Sequence, residues 1–284
     1  MGIDGMGESG IVPLNPEITS RGIPMAVEQV RDREELRDFL MRDRLASAYL
    51  LGNLDPAYFQ WCKAYGARDD DDALESVVLL YTGLSLPAVF TAGDERHFGE
   101  LLEAIRGELP DRFHFHVQEK QLAALRGVYE PSQTKRMWRM GLERQSYTKQ
   151  TLDEPARVER LGHRDTAAIM DLYQHYPDNL FEAYQLETGF YYGVRDPDRG
   201  LASIAGIHVF SEEHDVAVIG NFVTHPDRRG EGLASACTAR LLDELFERVS
   251  FVALNVQADN SAAIHMYSKF GFEKNNIFFE GIVD

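Results

Sequence analysis

Cysteine is nearly missing from this 284-residue chain, which has two, Cys62 and Cys237, in no CxxC or Cys/His pattern. That excludes a disulfide-built scaffold and a cysteine zinc site. Reduced thiols are expected, with Cys237 on the inner face of a helix. Long apolar runs are also missing: no stretch approaches the roughly 18 residues of a membrane-spanning helix. The opening MGIDGMGESG lacks the basic and apolar segments of a signal peptide. Met6 stands where a myristoylation signal needs Ser or Thr. Positive charge is scarce, with 29 Lys and Arg against 46 Asp and Glu and a net charge of −17. Nucleic acid and anionic membrane both want a basic surface, so neither is expected as a general partner, and solubility accounts for the acidity. A cytoplasmic protein is expected.

What is present suits a sizeable core: 44% hydrophobic and 26% charged residues, over a length that allows two medium domains. Residues 1–23, rich in Gly and Pro, read as a flexible tail. In the first half, periodicity predicts strands over 26–30, 76–82, 86–91, 112–118 and 136–143. Helices are predicted over 32–54 with a break near Asp43, over 95–109 and over 120–129. The polar, aperiodic stretch 146–156 reads as a linker between domains at 24–145 and 157–284. Beyond it, strands are predicted over 157–161, 190–194, 202–210, 216–224, 251–257 and 272–282, with helices over 164–176, 182–187, 232–248 and 261–270. Both halves run strand, helices, strands, helix, strand, helix, strand, so two copies of one αβ design are predicted from element order.

The informative segment runs from Val218 to Leu245. An apolar strand is stopped by His225-Pro226, Asp227-Arg228-Arg229-Gly230 turns the chain, and a helix follows with Leu233, Cys237, Leu241 and Leu245 on one face. Gly230 and Gly232 stand where the helix begins. They remove the side chains that would keep an anion from the free N–H groups, and the helix dipole favours negative charge there. Asp227 and Glu231 cancel Arg228 and Arg229, so backbone N–H groups would have to dominate any phosphate binding. An ordinary strand–turn–helix connection is the competing account of these glycines.

Arg229-x-x-Gly232-x-Ala234 resembles the Q/R-x-x-G-x-G/A signature of the GNAT superfamily of acyl-CoA N-acyltransferases, and Val223-Thr224-His225-Pro226 resembles its approach to that turn. The segment Asn260-x-x-Ala263-x-x-x-Tyr267-x-x-x-Gly271-Phe272 is similar to a second family pattern. The resemblance covers about residues 157–284. It implies an α/β (α+β) fold of two GNAT-like domains, each a mixed, mostly antiparallel twisted sheet flanked by helices, in the manner of tandem GNAT proteins with a degenerate first domain. It also implies an acetyl-CoA or other acyl-CoA site formed by Phe222, Val223, Thr224, Arg228, Arg229, Gly230, Glu231, Gly232, Leu233, Ala234, Asn260, Ala263 and Tyr267. Tyr267 would be the general acid for the departing thiolate, and the Val223 N–H the donor to the thioester carbonyl.

The proton acceptor stays open. Many members of the family carry a Glu on this strand where the chain has Gly220-Asn221. A water chain, His208, His225 and Glu182 are candidates, as is an amine that arrives deprotonated. Phe181, Glu182, Tyr184 and Asn221 are the expected acceptor contacts. A small-molecule amine or amino acid is favoured over a protein amine as acceptor, and a homodimer is admitted. The rival to an N-acyltransferase is an acyl-CoA-binding regulatory or interaction protein without turnover. In the first half, Thr91-Ala-Gly-Asp-Glu-Arg96 offers one glycine and two acids, poor for pyrophosphate. Tyr49 to Pro56 resembles the glycine-N-acyltransferase-like, FR47-like branch. Asp69 to Asp72 reads as a solvated loop. His114 and His116 share one strand face without further metal ligands near in sequence, and no metal is expected.

Overall fold

The computed structural model describes residues 27–150, 157–177, 181–198 and 200–284. The expected tail at 1–23 and most of the 146–156 linker lie outside the described residues.

The first half begins with β1 (Val27–Val30). Asp32 caps α1 (Arg33–Leu40) by accepting from the N–H groups of Glu34 and Glu35, and Leu36, Phe39 and Leu40 are buried. The break expected near Asp43 is a 3-10 turn over Met41–Asp43. It frees α2 (Ala48–Asn53), which is buried on every side. Asp55 caps α3 (Pro56–Phe59), with proline in its first turn. There follow β2 (Cys62–Arg68), β3 (Leu74–Tyr81), β4 (Ala88–Gly93), α4 (Phe98–Ala104), β5 (Phe113–Gln118), α5 (Leu122–Val128) and β6 (Pro131–Glu143). Neither α3 nor β2 is predicted by periodicity. Ala64 to Ala67 of β2 is buried on both faces, so it shows no alternation.

The second half repeats the order: β7 (Val158–Arg160), α6 (Thr166–Tyr173), a 3-10 helix over Ala183–Thr188, β8 (Tyr192–Asp196), β9 (Gly200–Ser211), β10 (Val216–Thr224), α7 (Leu233–Leu245), β11 (Phe251–Gln257), α8 (Ser261–Lys269) and β12 (Glu273–Val283). Among the described residues no helix is long and apolar enough to cross a membrane.

The twelve strands of the described residues join one sheet in the order β1-β2-β3-β4-β5-β12-β6-β11-β10-β9-β8-β7. The two halves exchange their last strands. β12 pairs with β5, from Phe278↔Gln118 to Val283↔Phe113, and β6 pairs with β11, from Phe251↔Glu143 to Gln257↔Met137. β6 and β12 then pair with each other at the centre. Each half therefore completes its sheet with a strand from the other. Among the described residues only β4·β5 and β10·β11 are parallel, and both come apart before the strands end. The last β10·β11 pair is Ile219↔Leu254, although β10 runs to Thr224 and β11 to Gln257.

The helices tie the halves further. Tyr49, Leu50 and Leu51 of α2 share a core with Val209, Val216, Val218, Phe251 and Ala253 of the second half. Gly52 lets α2 approach β9: a Cβ there would stand 2.6 Å from Val209 Cγ2. The Tyr81 and Tyr184 hydroxyls meet at 2.9 Å, and Glu182 accepts from the Ser85 N–H at 2.9 Å. On the opposite face of the second half, α6, α7 and α8 bury Ile169, Leu172, Leu241, Ile264 and Tyr267 against β9, β10 and β11.

Candidate active site

Two register shifts shape the split between β10 and β11. Val218 pairs with Val209 but Ile219 with Ile207, so His208 is an extra residue on β9. Gly220 pairs with Gly206 but Val223 with Ile204, so β10 carries an extra residue at Asn221–Phe222, and Asn221 has a φ of 59°. Bulges of this kind bend a strand and re-aim its side chains. The Asn221 carbonyl accepts from the Tyr173 hydroxyl at 2.9 Å. Its buried amide donates to Gln185 Oε1 at 2.9 Å and to the Tyr191 hydroxyl at 2.7 Å. The carboxamide is thus a structural brace of the bulge.

The ladder parity decides which N–H groups face the split. The His225 N–H donates to the Ala202 carbonyl at 2.8 Å. In an antiparallel ladder the bonded residues alternate. Val223, two residues earlier and paired with Ile204, therefore turns its N–H toward β9, and those of Phe222 and Thr224 face the split.

Beyond the strand, Gly230 and Gly232 have φ values of 82° and 77°, and a Cβ at either would meet nothing within 4 Å. Gly232 is the N-cap of α7 and supplies no side-chain cap. The first helical bond runs from the Ala236 N–H to the Gly232 carbonyl at 3.0 Å, so the N–H groups before it lack helical partners. This open, positively polarised helix start fits a phosphate. The arginines divide their work. Arg228 is held by Glu231, with Nη2 to Oε2 at 2.8 Å, and by Asp196. Arg229 donates from Nη2 to the Tyr176 hydroxyl at 2.8 Å, and that hydroxyl donates to the Thr224 carbonyl. Tyr173 and Tyr176 thus fix the split strand, a role that sequence reasoning missed. Their i, i+3 spacing was the available signal.

Gly93 ends β4 with a φ of 98°, and a Cβ there would lie 2.1 Å from the Glu75 carbonyl.

Tyr267 of α8 lies edge-on to Phe222, with ring centroids 5.6 Å apart, and 5.8 Å from Phe272. Burial raises its phenol above the ordinary value, which keeps it protonated. Among the described residues no hydrogen bond holds its hydroxyl. Asn260 caps α8 by accepting from the Ala263 N–H at 3.1 Å. Of the expected acceptor contacts, Phe181 lies tilted against Tyr173 with ring centroids 5.2 Å apart, while Glu182 and Tyr184 bond across to the first half. His225 accepts from the Asp227 N–H at 3.3 Å and is a turn residue.

The model of the acetyltransferase (GNAT) family matches residues 158–272. These residues are a GNAT-family domain.

The GNAT domain has curated relatives that match it over short stretches. Mycothiol acetyltransferase of Mycolicibacterium smegmatis is 33% identical over 103 residues, 34% of this chain and 30% of that protein. The ribosomal protein bS18-alanine N-acetyltransferase of Escherichia coli K12 is 39% identical over 64 residues, 22% of this chain and 43% of that protein. The chain thus spans less than half the length of these relatives. Solved structures match its fold over most of its length. A Drosophila protein has a TM-score of 0.68 at 15% identity, covering 90% of this chain and 98% of its own. A tandem GNAT protein from the clavulanic acid biosynthesis pathway has a TM-score of 0.57 at 14% identity, covering 91% and 98%. Two GNAT-like halves in one chain agree with the fold expected from element order.

Proposed function

We propose that the chain is an acyl-CoA-dependent N-acyltransferase, with an acetyl group as the first choice of acyl. Residues 157–284 would carry the reaction, and residues 24–145 would be a GNAT-like partner that has lost its own CoA turn. The observation that carries this reading is the split between β10 and β11 beyond Ile219↔Leu254, with the uncapped, open start of α7 beside it.

Acyl-CoA supplies an acyl group activated as a thioester. The N–H groups opening α7, around Gly230, Glu231, Gly232, Leu233 and Ala234, would hold the pyrophosphate. Backbone does most of this work, because Arg228 is already committed to carboxylates. Along the split, the Phe222 and Thr224 N–H groups, rather than that of Val223, are the donors for the pantetheine and the thioester carbonyl. Tyr267 donates a proton to the leaving sulfur. Its buried, protonated and otherwise unbonded phenol supports that role. The acceptor is a primary amine, with a small molecule preferred to a protein amine because the first half covers one face of the split.

Thiol release from acetyl-CoA, measured with glycinamide, spermidine and a tripeptide beginning with alanine, tests the reading. Turnover above hydrolysis with at least one amine is expected. Tight acetyl-CoA binding with no turnover on a wide amine panel would favour a binding protein instead.

A further inference from the structure

A row of polar side chains crosses the α2 side of the sheet at the point where the two halves exchange strands. His114 and His116 come from β5, Glu280 from β12, Arg139 from β6, Asn255 from β11 and His208 from β9. They are distant in sequence and meet only through the registers Glu280↔His116 and Asn255↔Arg139. Oε1 of Glu280 lies 3.0 Å from Nδ1 of His116 and accepts from the Asn255 amide. Asn255 Oδ1 in turn accepts from Arg139 Nε at 2.6 Å, and Arg139 Nη1 donates to the Ala46 carbonyl at 2.7 Å. Buried charge is costly unless paired, and Glu280 is paired. Burial alone would raise its carboxyl, but His116, His114 and the Asn255 amide outweigh that and hold it well below the usual carboxylate range.

His208 stands at the end of the row nearest the split. Among the described residues no hydrogen bond holds either ring nitrogen. Its bulge sets the imidazole over Gly220, where a Cβ would stand 1.9 Å from Nε2. Gly220 and Asn255 are the first residues on either lip of the split, directly beyond the last pair Ile219↔Leu254. His208, Gly220, Asn255 and Glu280 each keep part of their surface exposed. The side chains of Glu280 and His116 are 14% and 10% exposed. The row is therefore not fully sealed from solvent beside the split. Tyr267 lies on the other face of the same strands, in the core with Ile219 and Leu254.

We propose that the acceptor amine reaches the split from the α2 side, past these partly exposed residues, and that His208 takes its proton. This rests on the acyl-transfer reading. As the amine nitrogen bonds to the thioester carbon, one N–H proton passes to a ring nitrogen of His208. The C–S bond breaks, and the electron pair leaves on sulfur with the Tyr267 proton. The products are an amide and the free thiol; solvent takes the proton from His208 and returns one to Tyr267. The two protons are handled on opposite faces, so amine and thiolate need not share a path. The groups facing His208 are Tyr49 of α2 at a ring distance of 5.8 Å, His116 of β5 and Glu280 of β12. Burial draws its imidazolium down to about 4, which leaves the ring neutral, while the Glu280 anion opposes that shift and would stabilise the imidazolium when it forms. The first half thus lends the site one wall and its His116–Glu280 contact.

The experiment uses the full chain, acetyl-CoA and whichever of glycinamide, spermidine and the alanine tripeptide gives the fastest thiol release. His208→Gln is expected to lower kcat about 100-fold, with acetyl-CoA affinity within about twofold of the parent by calorimetry. In ¹⁵N-histidine-labelled parent protein, the His208 ring resonances should report a neutral imidazole at pH 7 and shift when that amine is added. A His208→Gln kcat within about threefold of the parent overturns the proposal, as do ring resonances that ignore the amine. If His208→Gln also loses acetyl-CoA binding, its fold is disturbed and the resonances of the parent decide. If the parent binds acetyl-CoA but acylates no amine, the acyl-transfer reading fails and this proposal with it. Turnover by the parent combined with an indifferent His208→Gln removes His208 alone.

Discussion

Gly220 lies so close beneath the His208 imidazole that a side chain of any size would collide with the ring. Gly220→Ala should therefore push the ring off the strand or the strand off its neighbour, at a cost of about 1–3 kcal/mol. Denaturant unfolding should show a lower midpoint with an unchanged slope. A variant as stable as the parent would mean that the ring swings aside freely.

Gly232 poses the opposite situation, a backbone at φ 77° with empty space around it. Gly232→Glu should keep the fold, at about 1 kcal/mol of backbone strain, and put a carboxylate at the start of α7. Acetyl-CoA affinity by calorimetry should fall at least about 30-fold, or about 2 kcal/mol. Unchanged affinity would move the pyrophosphate site elsewhere.

Tyr267→Phe removes a hydroxyl that no described residue bonds and leaves the packing on Phe222 and Phe272 in place. The melting temperature should stay within about 2 °C, acetyl-CoA should still bind, and kcat should drop about 100-fold. A rate equal to the parent's at every pH tested would remove Tyr267 as the acid.

Acid should destabilise the protein through its histidines. Burial draws the His208 and His114 imidazolium groups to about 4 and about 3 in the fold, against about 6.5 in an unfolded chain. Between those values the unfolded chain binds more protons, so stability present above about pH 6.5 is lost as the pH falls. Glu280, ionised in the fold, adds a loss of the same sign below about pH 4.5. Melting temperatures measured from pH 7.5 to pH 4.5 should fall steadily. His208→Gln should flatten the upper part of that curve, and melting temperatures that rise on acidification would reverse the assignment.

The exchanged strands should make unfolding a single event. Phe115 in the first half and Leu254 in the second are both buried. Phe115→Ala and Leu254→Ala should each cost about 2–5 kcal/mol and shift the same denaturation midpoint, with circular dichroism and tryptophan fluorescence coincident. Two separate transitions would mean that the halves fold independently.

Much of the local geometry at the proposed cofactor end was legible in the sequence because its physics is local. Gly230, Gly232 and the apolar face Leu233, Cys237, Leu241 and Leu245 lie within a few turns of chain, where spacing translates directly into geometry. β2 was not legible, because burial on both faces erases alternation. Nor was the choice of donor: Val223 or its neighbours is a matter of ladder parity, and the extra residues at His208 and Asn221 that bear on it leave no mark on composition.

By itself, then, the sequence determined the order of elements in the second half, most of it in the first, and the glycine turn before α7 that the first half lacks, since each depends on residues close together in the chain. The tertiary structure alone decided that the halves exchange β6 and β12, and that His116, Arg139, His208, Asn255 and Glu280 meet beside the split. The physical reason is that strand pairing joins residues of any separation. One register brings Glu280 opposite His116, and a slip of a single residue would turn either side chain to the other face of the sheet.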